Sequence, residues 1–133
     1  MNSSEDIERM LAAKTIAVVG LSGDPSKPSY FVSAYMQQAG KKILPVNPVV
    51  QSVLGETSYA SLRDLPEKPE VVNVFRLPRA IPAIVEEMIE LGLTNLWVQQ
   101  GIRNEEAARR AEAAGIHVVM DRCIMVEHRM RER

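Results

Sequence analysis

The sequence has little cysteine and few aromatic residues: Cys123 is its single cysteine, and aromatic residues make up 5% of its 133 positions. One cysteine excludes a disulfide-stabilised scaffold, which needs at least one pair. No apolar run approaches the roughly 20 residues that cross a bilayer. The first residues are polar and acidic rather than apolar, unlike a signal peptide, so we expect a cytoplasmic protein that does not enter the membrane.

Charge of one sign is not in excess either. Sixteen Lys and Arg residues face 17 Asp and Glu residues, which gives a net charge of −1. A protein that binds nucleic acid through phosphate contacts usually has a basic excess, so we do not expect a nucleic-acid partner. An apolar content of 46% excludes a disordered chain. The length fits one domain, which we expect to span residues 1–133.

Short apolar runs alternate with segments of helical periodicity along the chain. Glycines 40, 92 and 115 follow the helical segments and are natural helix ends. The apolar residues of those segments are Val32, Tyr35, Met36 and Ala39, then Ile81, Ile84, Val85 and Met88, then Ala107, Ala111 and Ala114. The expected strands are residues 15–19, 43–46, 71–75, 95–98 and 116–120. This alternation predicts an α/β fold: a doubly wound, Rossmann-like three-layer domain with a mainly parallel five-stranded sheet.

The loop after the first strand is the most informative segment for function. In open α/β sheets ligands bind beyond the carboxyl ends of the strands. Gly20-Leu21-Ser22-Gly23 follows a strand there and leads into a helix that begins near Pro28. Glycines let backbone N–H groups approach a phosphate closely, and a helix N-terminus favours negative charge. The loop therefore predicts phosphate binding.

The same loop is not a dinucleotide-binding fingerprint. That motif needs glycine where this chain has Ser22 and Pro25. It also needs an acidic residue after the second strand, where Asn47-Pro48 stands instead. Recognition of NAD through a ribose diol is therefore disfavoured. An NAD(P)-binding oxidoreductase or redox sensor remains an alternative, with Lys42 holding a 2′-phosphate.

Residues with nucleophilic or metal-binding chemistry are few. Cys123 follows the last strand next to the cation Arg122. The spacing of Asp121, Cys123 and His128 matches no zinc pattern, so the simplest interpretation is a buried cysteine and a surface histidine. We therefore expect no catalysis by this chain alone. A further alternative is a mixed disulfide between Cys123 and a thiol ligand.

Six segments in this order resemble the stand-alone CoA-binding domain proteins, relatives of the N-terminal domain of the succinyl-CoA synthetase alpha subunit. The segments run from residue 15 to residue 123. They are Thr15–Ser22, Pro28–Tyr30, Pro45–Pro48, Val72–Arg76, Trp97–Glu105 and Val118–Cys123. The resemblance implies a Rossmann-type domain that binds coenzyme A. Our hypothesis is that the chain binds coenzyme A or an acyl-CoA, and either senses acyl-CoA or supplies coenzyme A to a separate enzyme chain.

The resemblance also implies which residues contact coenzyme A. Gly20, Leu21 and Ser22 would wrap the pyrophosphate, with Ser29 and Tyr30 nearby. The ribose and its 3′-phosphate would lie by Asn47 and Pro48, and the adenine by Phe75, Arg76 and Leu77. Gln100 and Gly101 would approach the pantetheine arm. The histidine that the synthetase phosphorylates lies in another domain, so the resemblance implies no catalytic residue here.

Overall fold

The computed structural model describes residues 1–131, and strands and helices alternate along them. The strands are β1 (Thr15–Val19), β2 (Lys42–Val46), β3 (Ser52–Val53), β4 (Glu56–Thr57), β5 (Val71–Val74), β6 (Asn95–Val98) and β7 (His117–Met120). The helices are α1 (Ser4–Leu11), α2 (Pro28–Gln38), α3 (Ile81–Leu91), α4 (Glu105–Ala113) and α5 (Ile124–Arg131), with short 3-10 turns at Leu62–Asp64 and Pro78–Ala80. Within these residues no helix is long and apolar enough to span a membrane.

Five of these strands form one parallel sheet in the order β2-β1-β5-β6-β7. The two hydrophobic clusters lie on opposite faces of the sheet, one including residues of α3 and α4 and the other including residues of α1 and α2. The doubly wound, Rossmann-like α/β fold is therefore confirmed. Counting parallel strands alone, the order is 2-1-3-4-5, which reverses direction between β1 and β5. Ligands of such sheets bind at the carboxyl ends of the strands, outside this reversal.

Glycines 40, 92 and 115 follow α2, α3 and α4 as predicted, and two helix starts have side-chain caps. Ser3 caps α1 by accepting the Asp6 N–H, and Asn104 caps α4 by accepting the Ala107 N–H. Pro28 occupies the first turn of α2, where its missing N–H costs nothing. Gly92 ends α3 in the left-handed conformation, with φ of 72°.

In two of the predicted helices, the last residue of the expected buried face is exposed instead. Ala39 and Ala114 are exposed, because each lies beyond the last helical residue of its element. In α2 the buried positions include Ser29 and Ser33 alongside Val32 and Met36. Apolar periodicity does not identify a buried serine, so the face of α2 that packs on the sheet is more polar than predicted.

Both edges of the sheet have polar partners from other segments. On the β7 edge, Asn2 bonds through its own N–H to Val118 O and through its amide to the backbone of Met120. Pro45 lies in β2, the opposite edge strand, which is where a strand tolerates proline. Tyr59 follows the unpredicted β3–β4 hairpin and donates its N–H to Pro45 O.

Candidate functional site

A cleft of about 920 Å³ opens at the carboxyl edge of the sheet, between the strand ends and the start of α2. Its lining comes from the segments that follow β1, β5, β6 and β7, together with the first turn of α2. The sequence-predicted residues that line it are Gly20, Ser22, Ser29, Phe75, Arg76, Leu77, Gln100 and Gly101. The structure therefore brings together residues up to 81 positions apart in sequence, as expected for one edge of a parallel sheet.

Four predicted residues do not line this cleft. Leu21 has a fully buried side chain in the core between the sheet and α2. Tyr30 is half-buried and packs against the same core. Asn47 donates its amide N–H to Leu21 O over 3.0 Å, while Pro48 is exposed beyond it. The proposed ligand contacts of these residues stay predictions.

Eight further residues complete the lining and were not among the predicted site residues. They are Lys27, Pro28, Phe31, Val32, Pro78, Gln99, Ile102 and Cys123. Five of them are immediate neighbours of predicted residues, whereas Lys27, Val32 and Cys123 are not. The 45% exposure of Phe31 at the cleft follows from the orientation of α2, which sequence periodicity does not give.

Gly20 forms a tight turn between β1 and the loop. Its φ is +89°, and its N–H donates to Val46 O over 2.8 Å. A Cβ at this position would lie 2.5 Å from Phe75 O and 2.9 Å from Cδ of Arg76. Only glycine fits such an approach, so the carboxyl ends of β1 and β5 meet closely at the strand-order reversal.

The loop from Ser22 to Lys27 is fixed by its own side chains. Ser22 Oγ accepts the Asp24 N–H, and Asp24 Oδ1 accepts the Ser26 N–H over 2.9 Å. This backbone bond, with the Ser26 hydroxyl and the Lys27 charge, lowers the pKa of the Asp24 carboxyl. Ser29 Oγ in α2 accepts the Ser22 N–H and ties the loop to the helix. The shape of the loop is therefore defined by its own hydrogen bonds.

The cations near the cleft differ from those elsewhere. Arg76 and Arg79 are exposed and, within residues 1–131, have no ion-pair partner. Lys41 instead donates to Leu11 O and Ala13 O. Lys42 is the first residue of β2, so it lies at the amino ends of the strands, away from the cleft. Its bond to Glu67 raises the pKa of its ammonium group. The alternative in which Lys42 holds a 2′-phosphate at the carboxyl edge is therefore not supported.

Side chains at the end of β6 fix the turn that follows β7. The Trp97 indole N–H donates to Arg122 O over 2.9 Å, and Gln99 Oε1 accepts the Ile124 N–H over 3.0 Å. Both Trp97 and Gln99 are buried. Two positions later in the chain, the Gly101 N–H donates to Asp121 Oδ1 over 2.7 Å. In this wall of the cleft, the segments at the ends of β6 and β7 are therefore held together by hydrogen bonds.

Asn104 links two parts of the cleft rim. Its side-chain oxygen Oδ1 caps α4, and its side-chain amide N–H donates to Pro78 O over 3.0 Å. Pro78 lies in the segment between β5 and α3 that forms the other side of the rim. The cap is a local contact over three residues, whereas the bond to Pro78 depends on tertiary structure.

Cys123 and His128 differ from their simplest interpretation. Cys123 is half-buried in the cleft wall rather than in the core. His128 is also half-buried, and its Nδ1 lies 3.0 Å from the Tyr35 hydroxyl. Among the described residues no group of three His, Cys, Asp or Glu side chains is placed to hold a metal ion.

Comparisons with known proteins agree on one family. A family model described as a CoA binding domain matches residues 14–129. The chain is 42% identical over 127 residues to the uncharacterised protein YneT of Bacillus subtilis, covering 95% of this chain and 94% of that protein. A solved structure of a Thermus thermophilus protein, called cell-free ID.343, superposes with a TM-score of 0.90 at 41% identity, covering 96% of this chain and 98% of that one.

A larger relative shares only one region with this chain. The ADP-forming acetate–CoA ligase II of Archaeoglobus fulgidus is 26% identical over 109 residues. The match covers 80% of this chain but only 16% of the ligase.

Proposed function

The chain belongs to the family of CoA-binding domains, and on this premise we propose that its cleft binds coenzyme A or an acyl-CoA. One observation carries the proposal: the Gly20 turn, the start of α2 and the Arg76 side chain border a single cleft at the strand-order reversal. Coenzyme A is an extended polyanion with a nucleotide at one end, and this combination suits its phosphates.

The phosphates would lie at the β1 and α2 side of the cleft. The first N–H groups of a helix lack intrahelical partners and point outward, where they favour an anion. Lys27 precedes α2 and Arg76 follows β5, so two cations lie on this side. Because Arg76 has no carboxylate partner among the described residues, a bound phosphate would not need to displace one.

The rest of the cleft suits the less charged parts of the ligand. Phe75 and Leu77 offer apolar surface for the adenine ring, and Leu77 is 59% exposed. Gln100 and Gly101 border the far side with polar backbone and side-chain groups for the pantetheine amides. Asn47 supports this arrangement through the loop, because its amide holds Leu21 O. We propose that Leu21 and Tyr30 support the loop at the pyrophosphate, and that Pro48 lies by the ribose.

The proposal is limited to binding by a single cytoplasmic domain over residues 1–133. The ligase relative has a reaction in its name, but the aligned region is 16% of its length. We therefore do not carry that reaction to this chain. A binding domain of this kind would sense an acyl-CoA or present coenzyme A to a separate enzyme chain.

Titration calorimetry on the purified protein tests the proposal. We expect coenzyme A and acetyl-CoA to bind with micromolar dissociation constants, and NAD and NADP to bind at least about 100-fold more weakly. Native mass spectrometry of the protein as purified would show whether a CoA species is already bound. Tight binding of NADP without a response to coenzyme A would refute the proposal, and so would the absence of binding for all four ligands.

A further inference from the structure

Asp121 is the one described residue outside the predicted site whose side chain bonds directly to a glycine of the cleft. Its Oδ1 accepts the Gly101 N–H over 2.7 Å, and its Oδ2 accepts from Arg103 over 3.1 Å. Gly101 lies in the loop after β6 and Asp121 directly follows β7, and these two strands are neighbours in the sheet. Asp121 therefore holds the β6–α4 loop from the adjacent strand.

The backbone of Asp121 is unusual for a residue with a side chain. Its φ is +63°, in the left-handed region that residues other than glycine rarely adopt. Aspartate and asparagine tolerate this region better than most residues. The turn after Asp121 is fixed by Trp97, which bonds to Arg122 O, and by Gln99, which bonds to the Ile124 N–H. These contacts keep the carboxylate directed at Gly101.

Gly101 lies in a turn that the backbone itself closes, since the Ile102 N–H donates to Gln99 O over 3.1 Å. Its φ is +86°, and no atom lies within 4 Å of the position that a Cβ would take, so the loop is open on that side. The Arg103 side chain that contacts Asp121 is also bonded to Glu105 at the start of α4. Among the described residues, Asp121 is the one whose side chain bonds to residues 100–102.

We propose that Asp121 is a positioning residue that sets the Gly101 loop for the pantetheine arm of coenzyme A, an inference that rests on the proposed function. The strand order gives the reason for assigning this half of the ligand. β6 is two strands from β1, and strands lie about 4.8 Å apart, so the Gly101 loop is about 10 Å from the Gly20 turn. A phosphate held at Gly20 cannot reach Gly101, but the extended arm of the same molecule can.

The test compares whole and partial ligands on two variants. Asp121→Asn keeps a residue that tolerates positive φ and retains an amide oxygen, whereas Asp121→Ala removes the acceptor. Calorimetry would measure coenzyme A and adenosine 3′,5′-bisphosphate, which lacks the pantetheine arm. We expect the dissociation constant of coenzyme A to rise by about 10-fold in Asp121→Ala and by less in Asp121→Asn. That of the bisphosphate should stay within about twofold of wild type.

Two readouts separate positioning from general damage. The Gly101 amide proton should move upfield in the NMR spectrum of Asp121→Ala, because its bond to a carboxylate is lost. Asp64→Asn, at an exposed aspartate of a 3-10 turn, is the matched control and should leave both dissociation constants unchanged. Equal weakening of both ligands, or unchanged affinity for coenzyme A, would overturn the inference. Failure of wild type to bind either ligand would instead refute the proposed function.

Discussion

The carbonyl oxygen of Phe75 lies 2.5 Å from the position that a Cβ of Gly20 would occupy. The two residues follow β1 and β5, the strands between which the sheet order reverses. In other folds of this strand order the ligand site lies at the same point. The close approach brings the loop after β1 and the Arg76 side chain next to each other at a single opening, which explains why both line the cleft.

Substitution of Gly20 by alanine should destabilise the fold and weaken binding of coenzyme A. An alanine at φ of +89° is strained, and its Cβ would collide with backbone that cannot move without shifting β5. We expect the free energy of unfolding in urea to fall by about 2 kcal/mol. Gly23→Ala is the matched control, since no atom lies within 4 Å of its Cβ position. Equal stability of the two variants would show that the turn is not constrained.

Substitution of Arg76 by glutamine should weaken the binding of coenzyme A without unfolding the protein. Arg76 lines the cleft and has no ion-pair partner within residues 1–131, so its removal breaks no intramolecular pair. Loss of one charged contact to phosphate corresponds to roughly 10-fold in the dissociation constant. Arg79→Gln removes a nearby exposed charge outside the lining and should change affinity little. The same loss in both variants would indicate a diffuse electrostatic effect.

Removal of the Asn104 side chain should affect both stability and the cleft. Asn104→Ala loses the cap of α4, which costs about 1 kcal/mol in the free energy of unfolding. It also releases Pro78 O at the rim, so the affinity for coenzyme A should fall. Ser3→Ala loses the cap of α1 with a similar change in stability but should bind coenzyme A normally. If Asn104→Ala also binds normally, the rim does not depend on this bond.

The Asp121 carboxyl should titrate below the usual aspartate range of about 4. The Gly101 N–H bond is the main cause of its lowered pKa, and the bond from Arg103 adds to it. A lowered pKa in the folded state means that the carboxylate contributes to stability at neutral pH, and that this contribution is lost as the pH falls through the folded-state value. NMR titration of the carboxyl carbon would measure it. Arg103→Gln should raise the pKa, and an unchanged value would contradict the assigned role of Arg103.

Most of the fold could be predicted from sequence because each main strand is a short apolar run that ends at a turn former. β1 and β6 begin and end at the predicted residues. The β3–β4 hairpin was missed because each strand has two residues, too few for a period to show. The burial of Ser29 and Ser33 was missed because it depends on packing between α2 and the sheet.

The candidate site was predictable where it follows strand ends and not where it depends on contacts between loops. Gly20, Arg76 and Gly101 were found because parallel strands share one carboxyl edge. The contact of Asp121 with the site was missed, since its bond to Gly101 spans 20 residues and leaves no local pattern. Leu21 was included on the strength of the family resemblance, and sequence alone did not show that its side chain is buried in the core.

The contacts of Asn2 with β7 and the position of Pro45 in β2 have a consequence for self-association. An uncovered edge strand presents free N–H and C=O groups to which a second molecule can add a strand, and this is a common route to aggregation. Here Asn2 occupies backbone groups of Val118 and Met120 on one edge. On the other edge Pro45 has no backbone N–H to donate, and its carbonyl oxygen accepts the Tyr59 N–H. Crowded solutions of this protein should therefore resist fibril growth through either side of the sheet.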